Sequence, residues 1–117
     1  MEGGKKIIVL FDVDQTLTPA RQTIQPEMIT TLEAVMAKGI HCGIVSGSDI
    51  KKVSEQVGED IVNKCKYCFS ENGLLAMEDG KEFAKQNFSS HLGEANLKRL
   101  INFSLKYIAD LDIPIKR

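Results

Sequence analysis

The run Ile7-Ile8-Val9-Leu10-Phe11, bounded by Lys5-Lys6 on one side and Asp12 on the other, constrains this chain more than any other segment. A short, continuous apolar run with β-branched residues and Phe reads as a strand buried in a parallel sheet. The period then changes. Pro26 suits the first position of a helix, Glu27 its first turn, and Met28, Ile29, Leu32, Val35 and Met36 recur at helical spacing until Gly39. Residues 40–45 form the next strand candidate and end in Ser46-Gly47-Ser48-Asp49. Ser48 is the expected cap of a helix that aligns Ile50, Val53 and Val57 and stops at Gly58. A third strand near residues 67–69 leads into Glu71-Asn72-Gly73, and extended pieces at 74–77 and 82–85 flank the turn Asp79-Gly80. From Ser89 or Ser90 one long amphipathic helix is expected, carrying Leu97, Leu100, Ile101, Phe103, Leu105, Ile108 and Leu111, with Pro114 beyond its end. Strand and helix signals that alternate in this order predict an α/β fold with a parallel sheet and right-handed crossovers.

Size and charge narrow the function. A chain of 117 residues suits one domain. Its net charge of −1 provides no basic field for a nucleic-acid backbone or an anionic membrane, so neither partner is expected. The opening apolar run is too short for a signal-peptide core or a bilayer span, which predicts a cytoplasmic protein. Cys42, Cys65 and Cys68 are an odd number without a secretory signal and read as reduced, buried thiols. A Cys65-x-x-Cys68 pair beside His41 and Cys42 is the spacing of half a zinc site, but no second ligand pair accompanies it.

The chemistry is concentrated after the first strand. Ligands of an open parallel sheet collect outside the carboxyl ends of its strands. There the chain places Asp12-Val13-Asp14-Gln15-Thr16-Leu17-Thr18. Two carboxylates this close repel each other unless a cation lies between them. Mg²⁺, held by hard oxygen donors, resolves the conflict and can bridge to a phosphate. Asp12 is then a nucleophile able to form an aspartyl-phosphate, and Asp14 a general acid and base. Both are candidate metal ligands, and Thr16 is expected to hold the loop. Gly47 and Ser48, at a turn that opens a helix, are candidates for binding the phosphoryl group through N–H donors and a hydroxyl. Arg21 is a loop cation close to that site.

Phe11-Asp12-Val13-Asp14-Gln15-Thr16-Leu17-Thr18 resembles the Asp-x-Asp-x-Thr motif of the haloacid dehalogenase (HAD) superfamily. Thr18-Pro19-Ala20-Arg21-Gln22, Ser46-Gly47-Ser48-Asp49, Ser70-Glu71-Asn72-Gly73-Leu74 and the stretch from Gln86-Asn87 to Ser90-His91-Leu92-Gly93-Glu94 resemble the eukaryotic-type phosphomannomutases. This resemblance implies part of a HAD-like Rossmannoid core over residues 1–85 and the start of an α/β cap domain over 86–117. It implies interconversion of mannose 6-phosphate and mannose 1-phosphate, supplying GDP-mannose in the cytoplasm, with a small sugar phosphate as the only substrate partner. Asp12 would be phosphorylated, Asp14 would transfer protons, and Mg²⁺ would be the cofactor, with Asp14 reaching it through its backbone carbonyl. Arg21 matches a substrate contact, and the complete family enzyme is expected to be a homodimer. Gln15 stands where the family usually has Gly, a residue that permits backbone angles a side chain disfavours. Ser46 stands where relatives often have Gly.

The resemblance runs out at Ile113-Pro114-Ile115-Lys116-Arg117. The family's remaining substrate arginines, the lysine that steadies the aspartyl-phosphate and the acidic loop that completes the metal shell would follow from here. The alternatives are a sugar-phosphate phosphatase of the same superfamily, and a truncated, non-catalytic module that acts by binding.

Overall fold

The computed structural model describes residues 4–116; residues 1–3 and 117, the outer limits of the two expected domains, lie outside the described part. The chain divides into two units between Lys85 and Gln86.

The first unit is a mixed sheet with three flanking helices. Strand β1 (Ile8–Asp12) lies parallel to β2 (His41–Val45), which lies parallel to β3 (Tyr67–Ser70). Strands β4 (Leu75–Glu78) and β5 (Lys81–Lys85) extend the sheet antiparallel, giving the order β1-β2-β3-β4-β5. The first three strands form the expected parallel sheet, and the hairpin expected around Asp79-Gly80 adds β4 and β5 antiparallel. The connections after β3 are too short for a crossover, so the chain returns as hairpins. Asp79 and Gly80, both at positive φ, make the β4–β5 turn.

Helix α1 (Pro26–Ala37) joins β1 to β2, and α2 (Ile50–Val57) with α3 (Glu59–Lys64) joins β2 to β3. Both crossovers step in the same direction across the sheet, and their right-handedness puts all three helices on one face. The core lies there. Cys42 and Ile44 of β2 and Cys68 of β3 pack with Leu32, Val53, Val57, Ile61, Val62 and Cys65. Burial pushes the Cys65 thiol up to about 12 and Cys68 up to about 11. Protonated thiols among hydrocarbon are packing groups and poor metal ligands. Helix α3 is an addition to the sequence expectation.

The opposite face carries Ile8 and Leu10, whose register partners are His41 and Gly43, and the aromatic residues Tyr67 and Phe69. Tyr67 stacks on Phe69 at 5.7 Å and meets the edge of Phe83 at 6.2 Å. Leu10 lies over Gly43, where a Cβ would come within 2.5 Å of Leu10 Cδ2. Strand β1 was expected to be buried. It is instead an edge strand, with Ile8 44% and Leu10 51% exposed, because among the described residues it has a neighbour on one side only and no helix of the unit covers its outer face.

The second unit contains α4 (Phe88–Leu92) and α5 (Glu94–Asp110). The single long helix expected from Ser89 or Ser90 is broken at Gly93, whose φ of 85° and ψ of 151° belong to a region open essentially to Gly. Asn87 caps α4 by accepting from the Ser89 and Ser90 N–H groups. No residue of α5 is buried, and none of the described helices is long and apolar enough to cross a membrane.

Candidate active site

Asp12 is the last residue of β1, paired in register with Val45, the last of β2. The two loops that carry the candidate residues thus leave neighbouring strands at the same sheet end. Asp12 and Asp14 are exposed while Val13 between them is 1% exposed, so the alternation of the strand persists into the loop. The Val13 carbonyl then organises the turn. It accepts from the N–H groups of Thr16 at 3.2 Å, Leu17 at 3.0 Å and Thr18 at 3.0 Å. The hydroxyl that reaches it belongs to Thr18, at 3.4 Å. Thr16 holds the loop through its backbone, and its side chain is left exposed. A turn this tight forces Gln15 to φ 61°, which explains the advantage of Gly at this place.

Asp14 is the most firmly held group of the site. Its Oδ1 accepts from the Arg21 backbone N–H at 2.9 Å and from Gln56 Nε2 at 2.9 Å. The Arg21 N–H, then the Gln56 amide, hold its carboxyl below the ordinary aspartate range, with weaker support from the charges of Arg21 and Lys52. Arg21 itself is at φ 58° and exposed, so its backbone orients Asp14 while its guanidinium remains available.

Sequence reasoning missed Gln56. It is 4% exposed, its Nε2 also donates to Gln22 O at 3.4 Å, and its backbone carbonyl accepts from Ile24 N–H at 2.7 Å. It ties α2 to the loop that carries Arg21. A signal was present: Gln56 shares the buried face of α2 with Val53 and Val57, and a polar group at such a position needs a partner.

The turn after β2 is built differently from expectation. Asp49, not Ser48, caps α2, with its Oδ1 accepting from Lys52 N–H at 2.8 Å. Ser48 sits one residue too early to cap. Its N–H donates to Ser46 Oγ at 3.1 Å and its carbonyl accepts from Glu71 N–H at 2.9 Å. Ser46, which is buried, thus takes one of the donors that a phosphate would use. Asn72 N–H donates to Ser46 O at 3.0 Å, so the 71–73 segment is fastened along the 46–48 turn. Glu71, Asn72 and Gly73 are all at positive φ, a sharp reversal that brings the Asn72 side chain beside Gly47. A Cβ on Gly47 would lie 3.2 Å from Asn72 Oδ1, so this place has room for little beyond hydrogen. Gly47 remains exposed, and the Ser48 side chain is half-buried.

The donors for a metal are oxygens. Both hydrogen bonds to Asp14 go to Oδ1, so the Asp12 carboxylate, Asp14 Oδ2 and the backbone carbonyls of this loop are the oxygens it can offer, a hard set that fits Mg²⁺.

Residues 28–117 match the family model for eukaryotic phosphomannomutases. The chain is 53% identical over 111 residues to a phosphomannomutase of Dendrobium officinale, covering 95% of this chain and 44% of that protein. It is 54% identical over 110 residues to phosphomannomutase 1 of Dictyostelium discoideum, covering 94% and 44%. The chain thus spans less than half the length of these relatives. Among solved structures it resembles a haloacid dehalogenase-like hydrolase from B. subtilis, at 18% identity and a TM-score of 0.64, covering 86% of this chain and 34% of that one. It also resembles the HAD subclass IIB sugar phosphatase BT4131, at 27% identity and a TM-score of 0.52, covering 69% and 31%. The sheet and its crossovers are those of the HAD core.

Proposed function

The chain belongs to the eukaryotic phosphomannomutase family, and on that premise we propose that it carries the phosphoryl-accepting part of an enzyme that interconverts mannose 6-phosphate and mannose 1-phosphate. Residues 1–85 are the core portion in this reading and 86–117 the start of the cap. The observation that carries it is the pair of aspartates at the end of β1: Asp12 exposed, and Asp14 fixed by Arg21 and Gln56, at the sheet end from which the 46–48 turn also leaves.

The roles follow from the environments. Asp14, held below the ordinary carboxyl range, is ionised at rest, so it is free of a proton when the sugar hydroxyl arrives. With phosphoryl on Asp12, Asp14 removes the proton from a sugar hydroxyl as that oxygen attacks phosphorus and the Asp12–phosphorus bond breaks. Asp14 now carries the proton that the second transfer needs. When Asp12 attacks the other phosphoryl group of the bisphosphate, Asp14 returns that proton to the departing sugar oxygen. Gly47 N–H and the Ser48 hydroxyl hold the phosphoryl oxygens, Thr16 keeps the loop tight, and Arg21 contacts the substrate phosphate. The Asp12 carboxylate and, as the family resemblance implies, the Asp14 carbonyl would hold Mg²⁺. When bound, the ion supplies the positive charge that offsets repulsion between carboxylate and phosphate. The cytoplasmic supply of mannose 1-phosphate for GDP-mannose is part of the same proposal and is taken from the family alone.

The test is made in a chain extended to the length of its relatives. Incubation with a hexose bisphosphate and Mg²⁺, then borohydride reduction and mass spectrometry, should mark residue 12. Asp12→Asn should abolish mutase turnover, and Asp14→Asn should lower it by roughly 10²–10⁴-fold. A mark on another residue, or turnover retained by Asp12→Asn, would remove the nucleophile assignment.

A further inference from the structure

We propose that Gln56 is a positioning residue for proton transfer: with the Arg21 N–H it occupies Oδ1 of Asp14, and so leaves Oδ2 as the oxygen that takes the proton and returns it. This rests on the reading of Asp14 as acid and base, and it names what aims that group.

Two clamps of unequal stiffness hold the carboxylate. The Asp14 backbone is bridged to Thr18, so its side-chain torsions are what remain to be fixed. The Arg21 N–H, at 2.9 Å, lies seven residues on in the same loop and moves with it. Gln56, also at 2.9 Å, comes from α2, whose Val53 and Val57 are 0% exposed. It is therefore the contact that ties an exposed carboxylate to the packed core.

The neighbours fix the orientation of the amide. Asp14 Oδ1 and Gln22 O are both acceptors, so the NH₂ group of Gln56 faces them and its carbonyl oxygen does not. One nitrogen spends both of its N–H donors. The bond to the carboxylate, at 2.9 Å, is shorter than the 3.4 Å bond to Gln22 O, as a charge-assisted pair should be. Oδ1 then holds two N–H groups, whereas Oδ2 accepts from no donor among the described residues. A proton arriving on Oδ1 would meet two hydrogens already directed at it, and on Oδ2 it meets none. In the first transfer the sugar O–H bond breaks and the Oδ2–H bond forms as the sugar oxygen attacks phosphorus. In the second, the proton passes from Oδ2 to the departing sugar oxygen. Gln56 gains and loses nothing itself.

The test uses Gln56→Met in the chain extended to the length of its relatives. Methionine keeps the length of the side chain and removes the donor. The backbone carbonyl of residue 56 still takes the Ile24 N–H, so the Arg21 loop stays attached to α2. Mutase kcat should fall by roughly 10²-fold, the loss that a displacement of about 1 Å produces, with little change in KM. First-turnover release of nitrophenolate from p-nitrophenyl phosphate with Mg²⁺ should fall far less, because nitrophenolate leaves as a stable anion and needs no proton from Asp14. In an Asp14→Asn background, Gln56→Met should cost no further mutase turnover, since effects of residues that act through one another do not add. Equal loss of the two activities, or an added loss in the Asp14→Asn background, would make Gln56 a structural residue and overturn the proposal. Full mutase turnover by Gln56→Met would overturn it too. A parent enzyme in which p-nitrophenyl phosphate leaves residue 12 unmarked would instead remove the nucleophile reading beneath it, which separates the two failures.

Discussion

Gln15 shows how one residue can oppose its own loop. The Val13 carbonyl gathers the N–H groups of Thr16, Leu17 and Thr18, and the chain can close that turn only by carrying residue 15 through φ 61°. The left-handed region costs a side-chain-bearing residue roughly 1–2 kcal/mol, while Gly loses roughly 0.5–1 kcal/mol more in conformational entropy on folding. The difference favours Gly. Gln15→Gly should raise stability by about 0.5–1 kcal/mol, read from the midpoint of urea unfolding, without moving the aspartates. An unchanged or lower midpoint would mean that the Gln15 side chain makes contacts that offset its backbone strain. Asn72, also in the left-handed region at φ 57°, is a contrasting case, because Asn is among the residues that tolerate it.

At the scale of elements, the start of α2 separates two serine-rich readings. Both Ser48 and Asp49 are good capping residues by type, and only geometry tells them apart. Asp49 has the extended backbone of a cap and a carboxylate on Lys52 N–H, whereas Ser48 is spent on the contacts to Ser46 and Glu71. Asp49→Ala should therefore cost about 1 kcal/mol, and Ser48→Ala distinctly less, in paired urea titrations. Equal losses would return the cap to Ser48. The same comparison shows what was legible beforehand. β1, β2, α1 and the hairpin turn were readable because each is a run or a period longer than its boundary error. The placement of Asp12, Asp14 and the 46–48 turn at one end of the sheet followed from strand direction alone. Helix α3 was missed because six residues with adjacent Ile61 and Val62 show no period. The edge position of β1 was missed because an apolar run reports how well a strand can be buried and says nothing of which neighbours it has. Gln56 escaped because its partner Asp14 lies 42 residues away, a contact that only the fold creates.

At the scale of the whole molecule, stability is expected to reside in the first unit. Among the described residues, every buried apolar one, from Val13 to Ala76, lies within it. Helix α5 is 17 residues long and buries none of them, although Leu100, Ile101, Phe103, Leu105, Tyr107 and Ile108 are all large and apolar. Apolar groups stabilise a fold only through surface withdrawn from water. A helix of this length that lacks an Ala-rich sequence is marginal without packing. The exposed rings of Phe103 and Tyr107, stacked at 6.2 Å, give it local order and little more. A chain ending at Lys85 should therefore unfold at nearly the same urea concentration, within about 0.5 kcal/mol of the complete chain, as expected for changes away from the core. Its helical circular dichroism should fall by the share of α4 and α5. Binding of a hydrophobic dye should fall as well, since the α5 side chains are a large part of the exposed apolar surface. The residual dye signal should come from the outer face of the sheet around Leu10 and Tyr67, and Leu10→Lys in the shortened chain should reduce it further. A loss of more than about 2 kcal/mol on removing residues 86–117 would be the size of a core deletion. It would mean that α5 buries apolar surface in solution, and the division of stability argued from burial would be wrong.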